Sequence, residues 1–253
     1  VLVDNLGLNR KLSQTAHVTQ FIDRLMAHPI LEHEGVLPRL SDLQLTLASL
    51  ILTRTGISAG VRQRIIAALL LIYHGLGSHD GIVDTTEPQT QTGQLTILGG
   101  DYLSSLFYKL LADAGRIDLI QAFAQAIVQI SVAKTSFLRL ANNENYDEQT
   151  YMKDVETIRG ALLLSLCHGV EVDEPLHGFV ETAVRVSIYK DRLAERLPMR
   201  GTVAKLMQSI REYMSRLQTM TEDLFGIENW LQLEDAISPF QTSSAMTPAV
   251  EGG

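Results

Sequence analysis

At 253 residues with 45% hydrophobic side chains, the chain can bury one large core or two small ones. A net charge of −8 with no dense Lys/Arg stripe makes nucleic acid a poor partner, although a local site can still oppose the global charge. One cysteine, Cys167, excludes an internal disulfide, and its neighbours Leu163, Leu164 and Leu166 predict a buried, inert thiol.

Apolar residues recur at helical spacing almost throughout. Val18, Phe21, Ile22 and Leu25 predict a first amphipathic helix, with Pro29 beyond its end. Ser41-Asp42 predicts an N-cap for a helix carrying Leu43, Leu47, Leu50 and Ile51, punctuated by Gly56. Gly60 to about Ser78 is apolar almost all round, the pattern of a helix at the centre of a bundle. Ile82 to Gly93 is polar and reads as a loop. Further helices are predicted at about Leu95–Ala112, Asp118–Leu140 and Asp147–Gly169. Another begins at Asp173-Glu174-Pro175 and runs to Leu197, where Pro198 stops it; the last long one covers Val203–Phe225. A short segment around Trp230 and Leu231 caps the bundle. No segment shows strand alternation bounded by hairpin turns. The expected architecture is therefore all-α: one helical bundle domain over residues 1–237, with a disordered tail over 238–253 that is rich in Ser, Thr, Pro and Gly. The opening Val1-Leu2-Val3-Asp4 lacks signal-peptide architecture. The longest apolar run, Ala67 to Tyr73, is far short of the roughly 20 residues of a membrane span. A cytoplasmic location without a transmembrane segment is expected.

Two polar islands interrupt the apolar region. The first is Ser78-His79-Asp80-Gly81-Ile82-Val83-Asp84. If the helix continues, Asp80 and Asp84 share one face about 6 Å apart along the axis, a spacing that could hold Mg²⁺ and, through it, a diphosphate. The same spacing also suits a solvated helix end. The second is Leu98-Gly99-Gly100-Asp101-Tyr102-Leu103-Ser104-Ser105, where the glycine pair permits close backbone approach and Asp101 can cap a following helix. It is not a phosphate loop, because no Lys-Ser/Thr follows and no strand precedes it.

Together these islands resemble a family. Leu71 to Asp84 looks like the helix of trans-prenyl diphosphate synthases that carries their first His-Asp-Asp-x-x-Asp motif. Leu95 to Leu103 resembles their Leu-Ala-Gly-Asp-Tyr-Leu element through Gly100, Asp101 and Tyr102. Tyr151 to Leu163 resembles their Tyr…Lys-Thr-Ala-x-Leu helix, with Arg159 at the lysine position. The resemblance covers roughly residues 60–170. It implies the helical isoprenoid-synthase fold and ionisation of an allylic diphosphate on about three Mg²⁺ ions held by two facing carboxylate clusters. The departures decide what this chain can do. Gly81 replaces the second aspartate, leaving a degenerate motif of His79, Asp80, Gly81 and Asp84. Glu87 to Gln91 stands where paired arginines are expected. No second Asp-Asp-x-x-Asp occurs in residues 170–253, and neither Asp191 nor Glu222-Asp223 reproduces it.

A synthase fold without its metal site resembles the small subunits of bacterial heterodimeric heptaprenyl diphosphate synthases. That resemblance implies a partner subunit carrying both aspartate-rich motifs and the Mg²⁺. Prenyl diphosphates would be handled through the complex. This chain would hold no cofactor or metal of its own and no catalytic residue. The helices over 95–112 and 118–140 correspond to the dimer contact of the resembled fold, which makes Leu103, Leu106, Phe107, Leu110, Phe123, Ile127 and Ile130 candidate interface residues; the sequence does not separate those facing a partner from those facing the core. Tyr73, Gly75 and Gly77 read either as close helix packing or as the border of an open apolar cavity. Two rival functions stay open. One is a helical metal phosphohydrolase built on His79-Asp80 with His33 and Asp147. The other is a prenyl-diphosphate-binding scaffold without an enzymatic partner. His17, His28, His74, His168 and His177 show no metal-ligand spacing.

Overall fold

Local signals set most helix ends. The computed structural model describes residues 16–33, 40–78, 91–141, 147–194, 197 and 202–237, and among them there is no strand. Helix α1 covers residues 16–26, and Pro29 opens α2 (Pro29–His33), since a proline at a first helical position gives up an N–H with no intrahelical partner anyway. The Ser41 hydroxyl accepts the Gln44 N–H at 3.3 Å and starts α3 (Asp42–Thr53). Helix α4 (Ala59–Ser78) is buried on every side from Ile65 to Ile72, as its all-round apolar pattern predicts.

Helix α5 (Gln91–Asp113) begins earlier than predicted, so Gly99-Gly100 lies inside the helix and Asp101 does not cap its start. A Schellman turn ends it. Gly115 takes φ 69°, and the Arg116 N–H donates to the Leu111 carbonyl at 2.8 Å. Helix α6 (Ile117–Ala141) follows at once. Asp147 caps α7 (Glu148–Gly169) by accepting the Gln149 and Thr150 N–H groups. The end of α7 repeats the Schellman pattern with Glu171, not glycine, in the left-handed region at φ 54°. Helix α8 (Glu174–Leu193) ends short of the predicted Leu197; Pro198 disfavours helix only at the residue before it and so sets an outer limit. Helix α9 (Val203–Phe225) matches its predicted span, and Gly226 leads through a 3-10 turn at Ile227–Asn229 into α10 (Trp230–Ala236). The predicted tail over 238–253 lies outside the described residues.

The chain forms two compact units, Val1–Ile120 and Gln121–Gly253. In the first, α4 packs on α3 and above all on α5, around Ile51, Leu69, Leu70, Leu103 and Phe107. In the second, α8 packs on both α7 and α9, with Tyr151, Leu163, Phe179, Val180, Leu217 and Leu233 buried. No helix among the described residues is long and apolar enough to cross a membrane.

Candidate functional site

The first polar island falls at the edge of what the structure describes. Helix α4 runs to Ser78, and His79, Asp80, Gly81 and Asp84 lie outside the described residues. The glycines before them are separated clearly. A Cβ on Gly75 would sit 2.7 Å from Ser104 Oγ and 3.0 Å from the Gly100 carbonyl oxygen, whereas one on Gly77 would meet nothing within 4 Å. Gly75 is therefore a close helix-packing contact between α4 and α5, one of the two readings its sequence allowed. Beside it, His74 is buried, and its Nε2 accepts the Ser41 backbone N–H at 3.0 Å. Burial holds the imidazole neutral and pushes its pKa down to about 4. It thus ties the start of α3 to α4.

Two residues of the Gly-Asp-Tyr element make packing contacts. Gly100 supplies the backbone oxygen that Gly75 approaches. Tyr102 donates its hydroxyl to the Leu25 carbonyl at 3.0 Å, satisfying one of the orphan acceptors at the end of α1, and its ring lies against His28. Asp101 is exposed on the outer face of α5.

In the second unit, ion pairs lace α7 to α8. Arg159, at the position where the resembled family has a lysine, reaches Asp191 Oδ2 at 2.6 Å. Asp191 is 4% exposed. Arg185 Nε donates to Glu156 at 2.6 Å, and its Nη1 to the Tyr213 hydroxyl. Arg192 donates to Glu148 at 2.5 Å while its guanidinium lies over the Tyr151 ring. Sequence reasoning missed this seam, because Arg159 and Asp191 sit on different helices and no local spacing links them. Among the described residues, no three His, Cys, Asp or Glu side chains are grouped to hold a metal ion.

The candidate interface residues divide by burial. Leu103, Phe107, Leu110, Phe123 and Ile130 belong to the chain's own core, while Leu106 and Ile127 are half-buried. The outward face of α6 instead carries Val128 and Val132, 64% and 66% exposed. Between Gln121 and Leu138 every exposed α6 residue is uncharged. Helical spacing carries that signal: from Ile130, positions two residues either way fall on the opposite face.

The remaining candidates have local roles. Asp147 is committed to capping α7 through Thr150 and Gln149, which removes its oxygens from the phosphohydrolase role, and His33 closes α2. His168 and His177 stack with centroids 4.5 Å apart. Burial pushes the Cys167 thiol up to about 12, so it is not a nucleophile.

A family model described as heptaprenyl diphosphate synthase subunit 1 matches residues 28–223. A relative from Geobacillus stearothermophilus, heptaprenyl diphosphate synthase component 1, is 35% identical over 104 residues, which cover 41% of this chain and 46% of that one. The chain thus aligns with less than half the length of that relative. Among solved structures, geranylgeranyl pyrophosphate synthase from Lactobacillus brevis superposes with a TM-score of 0.70 at 12% identity, covering 90% of this chain and 95% of that one. Octaprenyl pyrophosphate synthase from Helicobacter pylori gives 0.67 at 12% identity, covering 89% and 99%. At such identity the likeness establishes the fold, an all-helical isoprenoid-synthase bundle, and nothing finer.

Proposed function

Since this chain belongs to the heptaprenyl diphosphate synthase subunit 1 family, we propose that it is the non-catalytic subunit of a two-chain trans-polyprenyl diphosphate synthase. Its partner carries both aspartate-rich motifs and the Mg²⁺, and the pair condenses farnesyl diphosphate with isopentenyl diphosphate into a long all-trans chain for the menaquinone side chain. The observation that carries this reading is the Arg159–Asp191 pair. A diphosphate needs cations, and the magnesium that would carry it needs several free carboxylates. Here the guanidinium at the family's lysine position is held by Asp191, a buried carboxylate on the facing helix, so each is engaged by the other. The first motif adds only two aspartates, with Gly81 between them. These residues do not fit a magnesium cluster, and no metal-dependent step is assigned to this chain.

The subunit acts through its surface. Between Gln121 and Leu138 the exposed residues of α6 are uncharged, the character of an interface core, where charged side chains are depleted, with the exposed Asp118 and Arg139 at its ends. Docking there orders the partner's active site and shapes its product tunnel. Val128→Asp with Val132→Asp tests this, because both positions are exposed and the variant keeps its core. Analytical ultracentrifugation of the variant mixed with an aspartate-rich synthase subunit should show binding weakened by about tenfold or more relative to wild type. Unchanged binding would remove α6 as the contact; a wild-type chain that never associates would remove the subunit reading itself.

A further inference from the structure

Two histidines flank the turn between α7 and α8. His168 is in the last turn of α7 and is exposed; His177 is in the first turn of α8 and is half-buried. They lie on different helices, and packing brings their ring centres to 4.5 Å with the ring planes 48° apart. The backbone on both sides is fixed. The Glu171 N–H donates to the His168 carbonyl at 3.2 Å and the Val172 N–H to the Cys167 carbonyl at 3.2 Å, closing α7. Pro175 and the Leu176 N–H, which donates to the Asp173 carbonyl at 3.1 Å, open α8. The fold therefore sets the two rings side by side before any ligand arrives.

An imidazole nitrogen lies about 1.1 Å from its ring centre and binds a transition-metal dication at about 2.1 Å. Each ring centre is then about 3.2 Å from the ion, so two rings at about 90° around it are about 4.5 Å apart, and two in tetrahedral positions about 5.2 Å. The observed 4.5 Å fits the right-angled arrangement of square-planar or octahedral ions such as Cu²⁺ and Ni²⁺. The surrounding charge also favours a cation. From Gly160 to Glu181 the acids are Glu171, Asp173, Glu174 and Glu181, with no Lys or Arg among them. Glu174 and Glu181 are exposed one turn either side of His177 on the same face of α8, and the Asp173 side chain makes no cap hydrogen bond. Among the described residues no third His, Cys, Asp or Glu is grouped with the two rings, so water fills the other positions on the ion. A hard ion such as Mg²⁺ prefers oxygen ligands and is not held by two imidazoles.

We propose that His168 and His177 together bind one divalent transition-metal ion of the Ni²⁺ or Cu²⁺ class, which clamps the end of α7 to the start of α8. The ion is structural, and no step of chain elongation is assigned to it. Both rings are needed. Losing even an outer partner of a metal ligand costs about 10–100-fold in affinity, so loss of either imidazole should weaken binding by more than about tenfold.

Isothermal titration calorimetry of the full chain, free of any histidine tag, with NiCl₂ tests this. The wild type should bind a single Ni²⁺ per chain, and MgCl₂ should give no comparable heat. His168→Gln and His177→Gln should each weaken Ni²⁺ binding by more than about tenfold. Ni²⁺ should raise the melting temperature of the wild type and of neither variant. His168 is exposed, so its variant keeps the fold. His17→Gln with His33→Gln, exposed histidines elsewhere, should bind like wild type. The proposal is overturned if the wild type binds no Ni²⁺, if only one of the two single variants loses affinity, or if the His17 and His33 double variant loses as much. The titration contains neither partner subunit nor prenyl substrate, so its outcome is independent of the subunit function proposed above.

Discussion

Gly75 and Gly77 differ by one half-turn of α4 and should respond to the same substitution with opposite sign. An alanine methyl at Gly75 would press on Ser104 and on the Gly100 backbone oxygen, and the backbone cannot yield cheaply. Gly75→Ala should cost about 1–3 kcal/mol. Gly77 is exposed in open space, and Gly77→Ala should stabilise by about 0.5–1 kcal/mol because alanine loses less backbone entropy in a helix. Urea melts of the two variants check this, and equal shifts would refute the close α4–α5 contact. His74 makes a second prediction at this scale. Its folded pKa, about 4, lies below the usual 6.5, so the unfolded chain binds the extra proton first as pH falls. Stability from this residue is whole above pH 6.5, drains away between 6.5 and 4, and totals about 3 kcal/mol. His74→Gln, which retains an acceptor for the Ser41 N–H, should flatten that part of the pH profile. A wild-type-minus-variant difference that does not change with pH would sink the assignment.

Between elements, the α7–α8 seam carries the polar cost of the fold. Asp191→Asn leaves Arg159 with its charge and without its partner's, and should destabilise by about 3 kcal/mol. Arg159→Met with Asp191→Leu should recover most of that loss, since a well-packed apolar pair replaces a buried ion pair at little net cost. Chemical denaturation of Arg159→Met, Asp191→Leu and the double variant gives the coupling, and simple additivity would mean that the pair does not interact. The helices themselves were largely legible, because the 3.6-residue period and the Ser41 and Asp147 caps are local signals. The start of α5 was not. Gln91 to Gln94 has a loop-like composition, and the close approach of α4 at Gly75 to the Gly100 carbonyl oxygen appears only once the two helices are packed. The Arg159–Asp191 pair was illegible for the opposite reason: it depends on which helices meet, and the sequence alone does not state that.

At the scale of the molecule, the chain has the isoprenoid-synthase fold, and its sequence lacks most of the carboxylates of the resembled metal site. The missing second motif and Gly81 were plain in the sequence, because charge can be counted there. The outward face of α6 needed the fold, since burial is what separates Val128 and Val132 from Phe123 and Ile130. With those carboxylates missing, the proposed role predicts that no supply of Mg²⁺ or allylic primer makes this chain a synthase without help. The direct measurement is incorporation of labelled isopentenyl diphosphate into long-chain product by this chain alone, by an aspartate-rich partner subunit alone, and by the two mixed. Product should form at an appreciable rate only in the mixture; appreciable elongation by this chain on its own would contradict the account.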